Sequence, residues 1–233
     1  MKKSIFLSFF LMFCSMMIMA QDQGTLTMAI TDVSSDNEQM AAGLEMMKGT
    51  ELKVTYDGKR SMTKMNMMGG MVKTDIKMSE EGNMDMYMDM MGQKMWIPAT
   101  KAEMEKAQAE SGADQEFDYQ YDENDTKEIA GFNCYKMTMT TPANPEFTLT
   151  AYVTEDIDIN AAVIQNVDIT KFKGFPLEYT MDMGMMKMTF STTEFSKEAD
   201  LSVFEVDTKG YKKMTMEEFQ AQMGAMGGGG FGF

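Results

Sequence analysis

The chain of 233 residues contains no histidine. That removes Ser-His and Cys-His nucleophile pairs and most zinc or iron sites together, since imidazole is the usual base near neutral pH and the commonest metal ligand. Cysteine is nearly missing too. Of Cys14 and Cys134, the first lies in an N-terminal leader, so the remainder holds one thiol and no internal disulfide. Cys134 reads as a small buried hydrophobe on a strand. No phosphate loop, GxSxG elbow or GxGxxG occurs. Acidic residues number 36, and at that abundance no single pair stands out as a glycosidase couple. Asp118, Asp122 and Asp125 lack the glycine and terminal glutamate of a calcium loop, so residues 111–125 read as a solvated acidic loop. Past residue 20 no apolar run approaches the ~18 residues of a membrane span.

The leader, residues 1–20, reads MKKSIFLSFFLMFCSMMIMA. Lys2 and Lys3 precede an apolar run, and Ala20 supplies the small residue needed for cleavage, so an exported chain beginning at Gln21 is expected. Phe13, directly before Cys14, is too large for a lipidation site. Beyond the leader, 19 basic face 36 acidic side chains, a net charge of −17. Such a surface repels nucleic acid and anionic lipid heads, leaving neither as an expected partner.

Period-two alternation dominates the rest. Leu26, Met28 and Ile30 share one face, as do Leu52, Val54 and Tyr56 before the turn signal Asp57-Gly58. Residues 59–68 return toward Gly69-Gly70, and Val72, Thr74, Ile76 and Met78 follow. In residues 83–91, Met84, Met86, Met88 and Met90 take one face, with Asn83, Asp85, Tyr87 and Asp89 left in water. Met95, Trp96 and Ile97 form a strand that Pro98 is expected to stop. Residues 101–110 are rich in helix formers. Strands resume near Ile129, through Phe147, Leu149, Ala151 and Val153, then Leu177, Tyr179, Met181 and Met183. Parity flips at Gly184, a hairpin turn or bulge, to Met186, Met188 and Phe190. Short helices are expected over 159–168 and 215–226, and the glycine-rich end as a flexible tail. The terminal Gly228-x-x-Phe231-x-Phe233 is similar to an outer-membrane barrel signature, but four successive glycines make no strand. With nine to eleven strands and no βαβ rhythm, the expected fold is mainly β (α+β). It is a single curved antiparallel sheet over residues 21–215, with two or three short helices, a helical and acidic insert at 99–126 and a tail at 216–233.

Three motifs carry a family resemblance. TKEIAGFNCYK (126–136), KGFPLEY (173–179) and LSVFEV (201–206), the last followed by Gly210-Tyr211-Lys212-Lys213-Met214, occur in order. Together they resemble an exported Bacteroidetes-type domain family of unknown function, with Asp207 where that group usually has proline. The resemblance covers about 125–215 well. Such domains are similar to the periplasmic lipoprotein carriers (LolA-like), whose half-open β-barrel closed by helices implies an apolar groove. No catalytic residue comes with the family.

Methionine is the abnormal abundance. The leader takes five of 33, and 15 of the remaining 28 cluster at 62–71, 84–91 and 181–188. Three readings compete. Methionine replaces leucine in an ordinary core, although it specifies a core poorly. Or Met84, Met86, Met88, Met90, Met181, Met183, Met186 and Met188 line an adaptable groove for an apolar ligand. Or Met84, Met86 and Met88 bind Cu(I) through soft sulfur, although alternate strand residues lie about 6.6 Å apart and histidine is missing. The composite expectation is a periplasmic or secreted binding domain, not an enzyme. It needs no cofactor, and its partner is an apolar ligand or an envelope protein.

Overall fold

The computed structural model describes residues 23–110, 117–159, 161, 163–164 and 171–225. The leader, the helix expected over 159–168 in its larger part, and the glycine tail lie outside these residues. Strands β1 (Gln23–Ser35), β2 (Glu51–Asp57), β3 (Arg60–Met67), β4 (Val72–Met78), β5 (Met84–Met90) and β6 (Gln93–Ala99) form a meander. A second meander comprises β7 (Asp118–Ile129), β8 (Phe132–Thr140), β9 (Phe147–Thr154), β10 (Phe175–Met183) and β11 (Met186–Ser196). Pairing of β1 with β11 fuses the two, and the two-residue β12 (Lys212–Lys213) adds parallel to β6. The result is one 12-stranded sheet, ordered β12-β6-β5-β4-β3-β2-β1-β11-β10-β9-β8-β7.

Chain length requires the sheet to curve. Ten inter-strand steps separate β6 from β7, roughly 48 Å if flat. The connecting residues 100–117 include the ten of helix α2 (Lys101–Glu110). At ~1.5 Å per helical residue and ~3.4 Å for the others, that connection reaches only about 42 Å. The two ends of the sheet therefore curl toward each other, yet β6 and β7 do not pair and the sheet stays unclosed.

Local sequence explains the elements. Asp57 pairs with Arg60 across Gly58-Lys59, and Gly58 at φ 60 supplies the positive φ of a two-residue hairpin. Helix α2 opens with a capping box: Glu103 N donates to Thr100 Oγ1 at 3.2 Å and Thr100 N to Glu103 Oε2 at 2.8 Å. Thr215 and Glu218 repeat it at 3.1 and 2.8 Å for α3 (Met216–Ala225). A third helix, α1 (Glu38–Glu45), has no forecast in the periodicity; Asn37 caps it through a bond from Met40 N to Oδ1 at 3.3 Å.

Four expectations are corrected. Among the described residues twelve strands form, one more than the upper estimate. The acidic loop ends by Phe117: from Asp118 the chain is edge strand β7, whose Tyr119 and Tyr121 turn toward Phe172 and Tyr135 while charged residues face water. Acids suit an edge, where they oppose pairing with a second chain. Strand β6 runs through Pro98 to Ala99 instead of stopping, because β12 pairs only with Met95 and Trp96 and leaves Pro98 on an open edge. Ile159, Ala161 and Val163, within the span expected to be helical, are buried and carry no regular structure.

Candidate functional site

The inward face of the sheet is followed through its register. Leu26, Val54, Thr63, Ile76, Met86 and Ile97 are successive cross-strand partners from β1 to β6, so they share one face. Two apolar clusters occupy the ends of that face. The larger joins β1, β2 and β8–β10 to the irregular segment carrying Ile157, Ile159 and Val163, and includes Cys134. Burial pushes the Cys134 thiol up to about 12, which leaves it inert at neutral pH. The smaller is built of methionine: Met78, Met84, Met86, Met88, Met95 and Met214, with Ile97, Ala99 and Phe219. Helices α2 and α3 cover it through Met104, Met216 and Phe219.

Of the expected groove residues, Met84, Met86 and Met88 are buried together in this cluster, with Met90 partly buried beside them. Met188 is buried elsewhere, with Ile30, Val33 and Leu44 beneath α1, and Met186 packs against that group. Met181 packs against the larger cluster, and Met183 is exposed. Strands β4, β3, β2 and β1 stand between β5 and β11 in the sheet, and the two methionine sets fall in separate clusters. The partners of the β5 set come from β4 and β6 instead: Met78 lies opposite Met84, and Met95 opposite Met88. Gln222 Nε2 approaches the Met95 sulfur at 3.9 Å. Sequence grouping missed Met78, Met95 and Met214, although the alternation around Met78 and Met95 already placed both on strands.

Tyr87 departs from its expected exposure. It is buried on the outward face, where the segment around Tyr211 crosses the sheet. The Tyr87 ring stacks on Trp96 at 6.2 Å and meets the edge of Tyr211 at 5.7 Å, while Trp96 Nε1 donates to Asp85 Oδ1 at 2.8 Å. Lys213 lies over Trp96 at 4.8 Å. Strand β5 is therefore covered on both faces along its middle.

Among the described residues, four buried side-chain oxygens have no protein hydrogen-bond partner: Tyr56 Oη, Thr63 Oγ1, Thr74 Oγ1 and Thr192 Oγ1. All four point inward. Thr63 shares the face of Val54, Thr74 is opposite Met88 and Met65, and Thr192 is opposite Met28. Tyr56 Oη sits over Gly24, where an added Cβ would stand 2.8 Å away. They occupy β2, β3, β4 and β11, the central strands between and beside the two clusters.

Two concavities lie elsewhere, each lined mainly by polar and charged residues. One of ≈ 750 Å³ is lined by Thr25, Thr27, Lys53, Thr55, Lys64 and Glu194, among others. The other, of ≈ 300 Å³, includes Glu123, Tyr135, Glu155 and Lys173. There the Lys173 ammonium bridges Glu123 at 3.0 Å and Glu155 at 3.3 Å, and Tyr135 and Lys173 hold the Glu155 carboxyl below its ordinary value. Asp125, read first as part of a loop, accepts from Lys136 at 3.1 Å and Tyr152 at 3.0 Å, beside a β-bulge. Among the described residues no three His, Cys, Asp or Glu side chains converge as a metal site, and no helix is long and apolar enough to cross a membrane.

No family model matches the chain, and no curated protein does. Solved structures that align with the chain include MucB, at 9% identity and TM-score 0.35 over 81% of this chain and 58% of that one. A DUF1329 family protein from Desulfovibrio piger aligns at 11% identity and TM-score 0.34, over 82% of this chain and 90% of that one. A chain of the Pseudomonas aeruginosa MucA/MucB complex aligns at 9% identity and TM-score 0.33, over 82% of this chain and 59% of that one. The chain thus spans less than two thirds of the MucB structures it matches.

Proposed function

We propose that this chain is an exported, non-catalytic carrier for an amphiphile held on the inward face of the sheet, its hydrocarbon against Met84, Met86 and Met88 and its polar group at Thr63 and Thr74. The observation that carries the reading is the set of orphaned inward hydroxyls beside a methionine cluster. A buried hydroxyl without a partner costs about 1–3 kcal/mol, so four on one face call for a hydrogen-bonding guest. Thioethers repack around guests of different shape, and the cluster is closed by two short helices rather than by a second sheet. Helix α3, with Phe219 as its plug, is the element that a hydrocarbon chain would displace. The mature protein begins at Gln21 and works in the periplasm or outside the cell; the partner that delivers or receives the ligand is an envelope protein.

The experiment has two arms. Protein recovered from its native envelope is extracted and its lipids and metals identified by mass spectrometry, which also reads the mature N-terminus. In parallel, Thr63→Val and Thr74→Val are combined and titrated with a dansyl-labelled fatty acid. The double variant should match or exceed the parent in stability, because two unpaired groups are gone, while affinity falls about tenfold. Unchanged affinity would remove the hydroxyls from the site. Cross-strand pairing of Met88 with Met95 and of Met84 with Met78 favours one second reading, a Cu(I) site on thioethers, and the metal analysis addresses it.

A further inference from the structure

Among the described residues, seven large apolar side chains are exposed: Met40, Met46, Met71, Met91, Met183, Met185 and Leu201. The six methionines all lie at one end of the sheet. Register places there the β5–β6 turn with Met91, the β3–β4 connection with Met71, the α1 connection with Met40 and Met46, and the β10–β11 turn with Met183 and Met185. In the strand order these four connections are consecutive. The opposite end, with turns at Gly58, Gly82 and Gly131, carries no exposed methionine among the described residues.

Two details separate this fringe from chance exposure. Met91 is 81% exposed and has φ 54, in the left-handed region where asparagine or glycine is the unstrained choice. A side chain kept at a strained position while touching little points to a role outside the fold. The tips are also fixed to their neighbours: Met91 N donates to Met71 O at 3.0 Å, and Ser35 Oγ to Met185 O at 2.7 Å.

Spacing and charge define the occupant. Successive connections are two strands apart, about 10 Å, which matches the ~10.5 Å rise between residues i and i+7 of an α-helix. Four tips along the curved rim span at most roughly 30 Å, within the length of a helix of about 20 residues. Asp32, Asp36, Glu38 and Glu45 crowd α1, and Lys48 among them already bridges Asp32 at 3.8 Å and Glu45 at 3.0 Å. The full chain carries −15. We propose that this rim docks a basic amphipathic helix of a partner protein, with its apolar stripe on Met46, Met71, Met91 and Met185 and its lysines or arginines over the acids around α1. Unbranched thioethers grip apolar stripes of varied shape, and the acids select a cationic flank. The surface is separate from the inward face and does not depend on what is held there.

The test uses the full mature chain and a labelled 21-residue peptide with leucine at heptad a and d positions and lysine on its flanks, read by fluorescence anisotropy. The variant combines Met46→Ser, Met71→Ser, Met185→Ser and Met91→Asn. Asparagine suits the left-handed turn, so the unfolding temperature should hold or rise while peptide affinity falls at least about tenfold. A peptide of equal charge with serine for leucine, and one with glutamate for lysine, should both fail to bind. Equal binding of the leucine peptide to parent and variant overturns the proposal, as does equal binding of the serine peptide, which would be charge attraction alone. Binding of the parent to neutral phosphatidylcholine vesicles without peptide binding overturns it in favour of a membrane surface. Stoichiometric Cu(I) uptake lost in the variant, again without peptide binding, overturns it in favour of a metal fringe.

Discussion

The hydroxyl of Tyr179 donates to the carbonyl oxygen of Val163 at 2.5 Å, in the core of the inward face. Val163 belongs to a stretch that brings Ile157, Ile159 and Ala161 into the core without regular structure. Such a stretch has no ladder to satisfy its backbone, so each polar group needs its own partner. Tyr179→Phe keeps the ring, strands the carbonyl and should cost about 1–3 kcal/mol. The readout is the urea midpoint at constant m-value; a midpoint equal to the parent's would show that Tyr179 does not hold this stretch.

Alkaline pH should unfold the chain through its tyrosines. Burial pushes Tyr56 up to about 12, and burial does the same for Tyr87, with smaller contributions from Asp85 and Tyr211. Tyr135 also reaches about 12, through burial and then the Glu155 carboxylate, and burial raises Tyr179 as well. With folded values above the unfolded value near 10, the native state binds more protons than the unfolded state across that interval. Their contribution is complete below about pH 10 and is lost as pH rises toward 12. Urea midpoints should fall across that window, with tyrosinate absorbance appearing in step with unfolding. Tyrosinate forming fully near pH 10 in a still-folded chain would contradict the burial of these rings.

Gly174, in the KGFPLEY stretch, tests a backbone contact. Its φ is 100, and a Cβ there would stand 2.7 Å from Thr154 O and 2.9 Å from Thr154 C. Both obstacles are main chain, so no side chain can rotate away. Gly210 has φ 85 but nothing within 4 Å, so it isolates the left-handed cost. Gly210→Ala should cost about 1 kcal/mol and Gly174→Ala clearly more, about 2–4 kcal/mol. Equal losses by thermal unfolding would place the close approach elsewhere.

Alternation is legible where polar and apolar residues separate cleanly. In β5, methionines alternate with Asn83, Asp85 and Asp89, and the inward face follows from parity alone. The same rule gives Leu52, Val54 and Tyr56. It fails in β7, where acids dominate the composition and the two tyrosines that mark the buried side are outnumbered. It fails for Tyr87, because only the long-range return of Tyr211 covers the outward face there. The methionine site was legible by strand but not by grouping. Residues adjacent in sequence, such as Met181 to Met188, fall in other clusters, whereas Met78, Met95 and Met214 arrive through pairing and through the run into α3. Orphaned hydroxyls leave no trace in a sequence, since threonine on a strand looks the same facing water or core.

The methionine cluster separates packing from metal chemistry through one substitution set. Met84→Leu, Met86→Leu and Met88→Leu together roughly conserve volume, and each should cost under about 1.5 kcal/mol. All three side chains are buried against Ile97, Ala99 and Phe219, so shape rather than sulfur decides whether the cluster stays filled. The triple variant should fold, and a dansyl-labelled fatty acid should bind with affinity near the parent's and with a narrower choice of chain, because branched leucine adapts less than an unbranched thioether. A Cu(I) site would behave differently. The substitutions leave Met95 and Met78 without their thioether partners across β5, so affinity measured by competition with a Cu(I) chelator would collapse while the fold persisted. Oxidation to sulfoxide distinguishes less, since it disturbs core and metal site alike. We expect fatty-acid binding to survive the triple change; its survival alongside a lost, tight Cu(I) affinity would assign the thioethers to copper.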